Sequence, residues 1–351
     1  MPTPTVSQVD RLTTSQIAQF KRDGFVVLPG VIDPELCRQA RDQMWDTIAD
    51  HWPTMKRDDP STWVPLPTEA WRTSATPIFK WLEGGGEPYF QGKGHKFFIR
   101  NGAEDLLIDI GARSVWNIAE QLLGKGEVVW PSGLDASNFT TGPCFLNAEK
   151  AAGMEPHLGP ESKKWTGEGT GKTEELRLPK TGPHWDTAQG TRGMYCTLPN
   201  GPDRGPTYPG AHGGEGIAGS RWKIQTAVYF DDLPIAAGGL HLWPGSHRRI
   251  WDAWVGPNPT EPRDGYGAAV IRNIKADTSP VDTHGPAGSV VLWHSIMLHM
   301  AGRNTTSDVI RQATLYAFAK TPESVPDELV RESPSGDIWD DWSDEVRAVT
   351  D

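Results

Sequence analysis

The stretch Gly288-Ser289-Val290-Val291-Leu292-Trp293-His294 is a short apolar run that opens on a glycine, which is typical of a buried β-strand. Four further runs of this kind occur along the chain, at 193–198, 223–230, 239–243 and 311–318. Several short strands separated by turns predict a sandwich or jelly roll. The 38 Gly and 30 Pro among 351 residues favour the same turn-rich class over a helical bundle.

The N-terminal third predicts helices that flank these strands. Thr13 and Gln16 have the spacing of a capping box, and Gly24 ends the helix that it opens. Asp33-Pro34 supplies an N-cap residue and a proline at the first position of a second helix. A third helix is predicted over residues 104–123. The predicted fold class is therefore mainly β with flanking helices, around a double-stranded β-helix (jelly-roll, cupin-like) core.

We expect a single domain over residues 1–351. Its helical part covers about 13–125, although residues 25–28 predict a short strand. The jelly-roll core covers about 126–321, and an acidic tail at 322–351 is expected to lie on the surface. Within the core, residues 150–183 and 187–221 predict long loops, because they are rich in Gly, Pro or charge. The second of these is expected to act as a lid over a substrate.

Composition and charge exclude several classes of protein. The formal net charge of -11 disfavours nucleic acid as a partner. The three cysteines are odd in number and widely spaced, so they predict neither disulfides nor a cysteine-based zinc site. The chain has no signal-peptide pattern and no apolar stretch as long as a membrane span. We therefore expect a cytoplasmic protein that acts on a small molecule, without nucleic acid or membrane.

The segment Gly182-Pro183-His184-Trp185-Asp186 is the first candidate for chemistry. Side chains alternate between the two faces of a strand, so His184 and Asp186 point the same way and Trp185 points the opposite way. An imidazole and a carboxylate side by side can bind a metal ion. The predicted metal ligands are thus His184 and Asp186, with a third ligand from a distant strand.

The third ligand is expected near the strand that ends at His294, which residues 295–298 and then His299 follow. Two histidines and one carboxylate form the facial triad of non-haem Fe(II) oxygenases. This triad leaves three positions open, which suffice for a chelating 2-oxoacid and dioxygen. Arg311 stands at the start of the next strand, and its planar guanidinium can pair bidentately with the far carboxylate of 2-oxoglutarate.

At this point the sequence resembles a known family. The resemblance rests on residues 19–30, on 182–186, on 226–232 with Gly238-Gly239-Leu240-His241-Leu242-Trp243-Pro244-Gly245-Ser246-His247, and on 288–304 with Arg311. These pieces, in this order, resemble the phytanoyl-CoA dioxygenase family of Fe(II)- and 2-oxoglutarate-dependent oxygenases. The resemblance implies a jelly-roll core with helices packed on one side.

The same resemblance implies that His299, rather than His294, is the distal metal ligand. It implies Fe(2+), 2-oxoglutarate and O2 as cofactors, with His184, Asp186 and His299 as catalytic metal ligands and Arg311 as the co-substrate anchor. The chain departs from the family pattern after the distal histidine, where Met300-Ala301 replace a small hydroxyl residue. The hydrogen bond that such a residue gives to 2-oxoglutarate is then missing or comes from elsewhere.

Substrate contacts are expected from Trp185, Gln225 and His241. Gln225 shares a strand face with Tyr229, with the solvent side as the open alternative for Gln225, and His241 alternates with Leu240 and Leu242 in a predicted strand. The predicted reaction is the hydroxylation, or another oxidation, of a C–H bond in a small, partly apolar metabolite, with release of succinate and CO2. The alternatives are a jelly-roll metal-binding protein and a cupin-like isomerase or hydrolase that does not use 2-oxoglutarate. Because Asp186 is present, a halogenase is disfavoured.

Overall fold

The computed structural model describes much of the N-terminal helical part, much of the second half of the core and part of the C-terminal tail. The described residues are 10–51, 56–62, 104–111, 113–128, 140–141, 223–235, 237–255, 269–301, 309–320, 336–340 and 342–350. The predicted strand at 193–198 and both predicted loops, 150–183 and 187–221, lie outside them.

Seven α-helices fall within the described residues: α1 (Thr14–Asp23), α2 (Pro34–His51), α3 (Glu104–Gly111), α4 (Trp116–Leu123), α5 (Ser246–Val255), α6 (Ala269–Asp277) and α7 (Asp344–Ala348). The capping box of α1 is confirmed, since Thr13 and Gln16 bond each other's backbone and Gly24 takes a left-handed φ of 85°. None of the described helices is long and apolar enough to cross a membrane.

The predicted third helix is broken in two, which corrects the expected single span. Residues Arg113–Val115 form a 3-10 turn between α3 and α4. The hydroxyl of Ser114 donates to the carbonyl of Asp109 at 2.7 Å, and such a side-chain bond to the preceding turn competes with continued helix. The sequence analysis predicted no helix over the residues of α5 or α6.

The described strands form two antiparallel sheets. They are β1 (Phe25–Leu28), β2 (Thr140–Thr141), β3 (Lys223–Tyr229), β4 (Leu240–Leu242), β5 (Val281–Asp282), β6 (Val290–His294), β7 (His299–Ala301) and β8 (Ala313–Ala319). The larger sheet has the order β1-β6-β3-β8-β2 and the smaller sheet the order β5-β4-β7. The predicted β core with flanking helices is confirmed in this part of the chain.

Two apolar clusters fill the spaces on either side of the sheets. The first joins the helices to one face of β1, β3 and β6, and it includes Phe20, Leu122, Ile224 and Leu292. The second joins the facing sides of both sheets, through the buried residues Ala227, Tyr229, Leu240, Leu242, Val291, Trp293 and Ala313. The second cluster therefore marks the interior of the sandwich, where a jelly roll places its ligand site.

The end of the chain is part of the core, so the expectation of a surface tail is wrong for residues 336–350. Ile338, Trp339, Trp342 and Val346 are all buried in the first cluster. The backbone N–H of Ser343 donates to the carbonyl of Leu122 at 3.1 Å, which ties the tail to the end of α4. The acidic composition misled the prediction, because the apolar residues at helical or turn spacing lie on the inner side.

Candidate active site

Alternation along the strands brings several polar side chains to the interior face of the larger sheet. Gln225, Ala227 and Tyr229 alternate along β3, and the last two belong to the interior cluster. Gln225 lies directly opposite Trp293 of β6, which belongs to the same cluster. The interior face of this sheet therefore carries an amide, a phenol and an indole.

His299 faces this interior from the smaller sheet. In the antiparallel register His299 lies opposite Leu242 of β4, which belongs to the interior cluster. Directly opposed residues of an antiparallel pair point to the same side of the sheet. The ring of His299 also packs against Trp293, with 5.6 Å between ring centroids. The predicted distal ligand is thus inside the sandwich and almost fully buried.

The protonation of His299 suits a metal ligand. Its Nδ1 lies 2.9 Å from the carbonyl oxygen of Met297. A carbonyl oxygen can only accept, so Nδ1 carries the hydrogen and Nε2 of the neutral ring has the lone pair. A backbone carbonyl that holds Nδ1–H is a common second-shell partner of metal-bound histidine.

His294 has the opposite arrangement. It alternates with Trp293 and so faces the helices, where its ring stacks on Trp342 with 5.2 Å between centroids. The backbone N–H of Ile296 donates to the His294 Nδ1 at 3.2 Å, which places the hydrogen of the neutral ring on Nε2. His294 therefore has neither the position nor the lone pair that a ligand in the interior needs.

The Pro-Gly-Ser-His stretch holds the segment that leads to His299. The side-chain oxygen of Ser246 accepts the backbone N–H of Leu298 at 2.9 Å, and the backbone N–H of Trp243 donates to the Leu298 carbonyl at 3.1 Å. Gly245 donates its N–H to the carbonyl of Asp23 at 2.9 Å, at the end of α1. Ser246 is a positioning residue that the sequence analysis quoted within a motif without assigning it a role.

Arg311 is buried, and none of the described residues accepts a hydrogen bond from its guanidinium. Only 1% of its surface is exposed, and within the described part of the chain its Nε and both Nη atoms have no hydrogen-bond partner. Arg311 precedes Ala313, an interior residue of β8, by two positions, so extended chain places both on the same face. An unpaired buried guanidinium costs several kcal/mol, so an anionic group suits this position.

Tyr229 connects the two sheets beside Arg311. Its hydroxyl accepts the backbone N–H of Leu240 at 3.0 Å and donates to the Thr283 hydroxyl at 2.6 Å, since that hydroxyl itself donates to the Leu240 carbonyl at 3.0 Å. Burial raises the pKa of Tyr229, and its hydrogen bonds and the charge of Arg311 oppose that shift. The phenol is thus neutral and fixed in place.

Of the expected substrate contacts, Gln225 lies on the interior side of the sheets and His241 does not. Gln225 is fully buried on the interior side, where its Nε2 donates to the Ser295 hydroxyl at 3.2 Å. His241 instead lies opposite Met300 and Asp282, on the face of the small sheet that points away from His299. The expectation for His241 is therefore corrected. Its neighbours Leu240 and Leu242 face the interior, and its Nε2 lies 3.8 Å from the Asp282 carboxylate.

His184, Trp185 and Asp186 lie outside the described residues, so their roles stay predictions. Among the described residues, no three His, Cys, Asp or Glu side chains gather into a metal site. The described part therefore supplies one of the three predicted ligands, His299, together with the predicted anchor Arg311. The donor set fits the expected group, because a histidine lone pair and a buried cation face the same interior.

The model of the phytanoyl-CoA dioxygenase family (PhyH) matches residues 206–313. This span contains His299, Arg311, Tyr229 and Trp293 and ends just inside β8. The match supports the predicted resemblance over these residues, and with it an Fe(II)- and 2-oxoglutarate-dependent dioxygenase that uses iron, 2-oxoglutarate and O2.

Several solved structures of such enzymes are similar to this chain. One is the non-heme alpha ketoglutarate dependent carbocyclase SnoK from nogalamycin biosynthesis, at 15% identity over 90% of this chain and 87% of that chain, with a TM-score of 0.43. Another is EctD from S. alaskensis with bound Fe, at 14% identity over 91% and 82%, with a TM-score of 0.44.

The epimerase SnoN, in complex with Fe3+, alpha ketoglutarate and nogalamycin RO, is similar at 15% identity over 87% of this chain and 82% of that chain, with a TM-score of 0.44. At these identities and scores the likeness does not extend to substrates or residue roles. No curated protein sequence matches the chain.

Proposed function

We propose that this dioxygenase oxidises a C–H bond of a small, partly apolar metabolite, with hydroxylation as the simplest outcome. In that reaction the substrate C–H, 2-oxoglutarate and O2 give C–OH, succinate and CO2. The proposed iron ligands are His184, Asp186 and His299, and the proposed anchor of 2-oxoglutarate is Arg311. When bound, the iron and its co-substrate supply the oxidising chemistry.

The buried guanidinium of Arg311 is the observation that carries this proposal. The described residues offer it no hydrogen-bond acceptor, although a buried charge needs one. A carboxylate of 2-oxoglutarate supplies two oxygens in the geometry of the guanidinium fork. An isomerase or hydrolase without an anionic co-substrate gives no reason for such a cation at this position.

The other described residues orient the ligands and exclude water. The carbonyl of Met297 holds the ring of His299 through a hydrogen bond. The hydroxyl of Tyr229 accepts the Leu240 N–H and so joins the larger sheet to the smaller one. Ala227, Leu242 and Val291 line the same interior with apolar surface. An apolar interior of this kind favours a metabolite with an apolar part, and it keeps bulk water from the reacting atoms.

The proposal is tested with purified protein, Fe(II) and 2-oxoglutarate. Without oxygen, we expect a visible metal-to-ligand charge-transfer band, and with oxygen and a metabolite library we expect succinate and a product heavier by one oxygen. Arg311→Ala should raise the 2-oxoglutarate concentration at half-saturation at least about tenfold, because a buried charged pair is worth about 2–5 kcal/mol. Iron affinity should change little.

Arg38→Ala is the matched control, since Arg38 is an exposed arginine whose partners are Glu35 and Asp42 on the same helix. It should leave the requirement for 2-oxoglutarate unchanged. A protein that shows neither the band nor succinate across the library contradicts the proposal. A normal requirement for 2-oxoglutarate in Arg311→Ala would assign the anchor to a different cation.

A further inference from the structure

Trp293 is a buried hydrogen-bond donor for which the mechanism above has no use. It is fully buried in β6, and within the described residues its indole Nε1 has no hydrogen-bond partner. A buried polar group without a partner costs free energy, so a buried indole N–H usually has an acceptor. Trp293 also contacts the ring of His299, with 5.6 Å between centroids.

Trp243 and Trp339 also have a buried Nε1 without a partner among the described residues, but they lie elsewhere. Both belong to the cluster beneath the helices, whereas Trp293 belongs to the interior cluster. On the interior face, the unpartnered donors of the described residues are therefore the guanidinium of Arg311 and the indole of Trp293. Two donors on one face indicate a ligand with an acceptor at each end.

The strand register gives the separation of these two donors. Trp293 lies opposite Gln225, and Gln225 lies opposite Ala317 of β8. Arg311 precedes Ala317 by six residues on the same extended segment, which spans roughly 20 Å between Cα atoms. The Trp293 ring lies against His299, so the two donors mark opposite ends of the same interior face, with Trp293 at the His299 end.

We propose that the Trp293 indole N–H donates a hydrogen bond to the 2-oxo-acid end of 2-oxoglutarate, while Arg311 holds the far carboxylate. Trp293 is then a specificity-determining residue that selects a ligand with an oxygen acceptor at both ends. It also replaces the small hydroxyl residue that the family pattern places after His299, where this chain has Met300-Ala301. This inference rests on the proposed function.

The test compares Trp293→Phe with Trp339→Phe. Each change keeps an aromatic ring in a buried position and removes an indole N–H. In oxygen-free solution with Fe(II), Trp293→Phe should weaken 2-oxoglutarate binding roughly tenfold, as expected for a lost hydrogen bond to a charged group, and should shift the charge-transfer band. Trp339→Phe should leave both the affinity and the band as they are in the unchanged protein.

A second measurement needs no variant. With Zn(II) in place of iron and 15N-labelled tryptophan, one of the 16 indole N–H signals should move downfield when 2-oxoglutarate is added. An unchanged set of signals overturns the inference even if Trp293→Phe does not fold.

The outcomes separate this inference from the proposed function. If the unchanged protein forms no band with Fe(II) and 2-oxoglutarate, the proposed function fails. If the band forms and depends on Arg311 but Trp293→Phe binds 2-oxoglutarate normally, only the inference fails. A variant with normal 2-oxoglutarate affinity and a raised KM for the metabolite would assign the indole to the metabolite, which also overturns the inference.

Discussion

The Nδ1 atom of His299 lies 2.9 Å from the carbonyl oxygen of Met297. This contact fixes the hydrogen on Nδ1 and turns the lone pair of Nε2 towards the interior of the sandwich. Five residues earlier, the N–H of Ile296 donates to His294 and fixes the other tautomer. The backbone thus distinguishes two histidines that differ little in their sequence surroundings.

This difference predicts the effects of two alanine variants. His299→Ala removes the proposed ligand, so iron affinity should fall by at least about 100-fold, more than the loss of an outer-shell partner costs. His294→Ala should keep iron affinity and should lower the melting temperature, because it leaves a cavity beside Trp342. Iron titration and thermal unfolding measure the two effects. Loss of iron in His294→Ala with retention in His299→Ala would reverse the assignment.

The Tyr229 network predicts a coupled loss of stability. Tyr229→Phe leaves the Leu240 N–H without its acceptor and removes the hydrogen bond to the Thr283 hydroxyl, at a cost of about 1–3 kcal/mol, and should lower the melting temperature by a few degrees. Thr283→Val breaks the same chain of bonds. The double variant should therefore lose less free energy of unfolding than the two single losses added together. Strict additivity would show that the three groups act independently.

Local patterns explain what the sequence predicted correctly. The capping box at Thr13, the strand at 290–294 and the shared strand face of Gln225 and Tyr229 follow from spacing and alternation within one segment. The two-sheet class follows from several such segments. His299 and Arg311 were predicted because their residue types and order match a known chemistry, and the structure brings both to one interior.

The errors concern relationships between distant segments. His241 was expected to face inwards, yet Leu242 lies opposite His299, and a shift of one residue reverses every side chain of a strand. Trp293 received no role because a tryptophan in an apolar strand is ordinary core in sequence terms. Its unpartnered N–H becomes visible only when the surrounding strands are in place. The acidic tail was misjudged because charge dominates its composition while Trp339 and Trp342 face inwards.

The docked tail predicts that its tryptophans stabilise the whole protein. Trp342 is buried against Phe20, with 5.6 Å between centroids, and stacks on His294. Trp342→Ala should reduce the free energy of unfolding by about 3–5 kcal/mol, as for other large buried aromatic residues. Arg347→Ala on the exposed side of α7 is the control and should cost less than about 1 kcal/mol. Equal stability of the two variants in urea unfolding would show that the tail contributes no packing.

His247 predicts how stability depends on pH. Its ring is buried in the first turn of α5, and its Nε2 lies 3.0 Å from the Lys21 carbonyl, so Nε2 carries the hydrogen. On the other side of the ring, Nδ1 is buried without a hydrogen-bond partner among the described residues, and a Cβ placed on Gly24 would lie 2.5 Å from it. Burial lowers the pKa of His247 from 6.5 to about 3, and the charge of Arg248 adds to that shift, whereas the bond to Lys21 opposes it.

The direction of this pH dependence follows from the number of protons that the folded and the unfolded states bind. Between pH 6.5 and about 3 the unfolded chain protonates His247 and the folded chain does not, so folding stability must fall as the pH falls through this window. Each pKa unit corresponds to about 1.4 kcal/mol, so the total loss is several kcal/mol.

His247→Gln can still donate to Lys21 but does not titrate, so its loss of stability below pH 6.5 should be smaller by that amount. Urea unfolding of the metal-free protein at a series of pH values measures the slopes, and identical slopes for His247→Gln and the unchanged protein would mean that His247 titrates normally in the folded state.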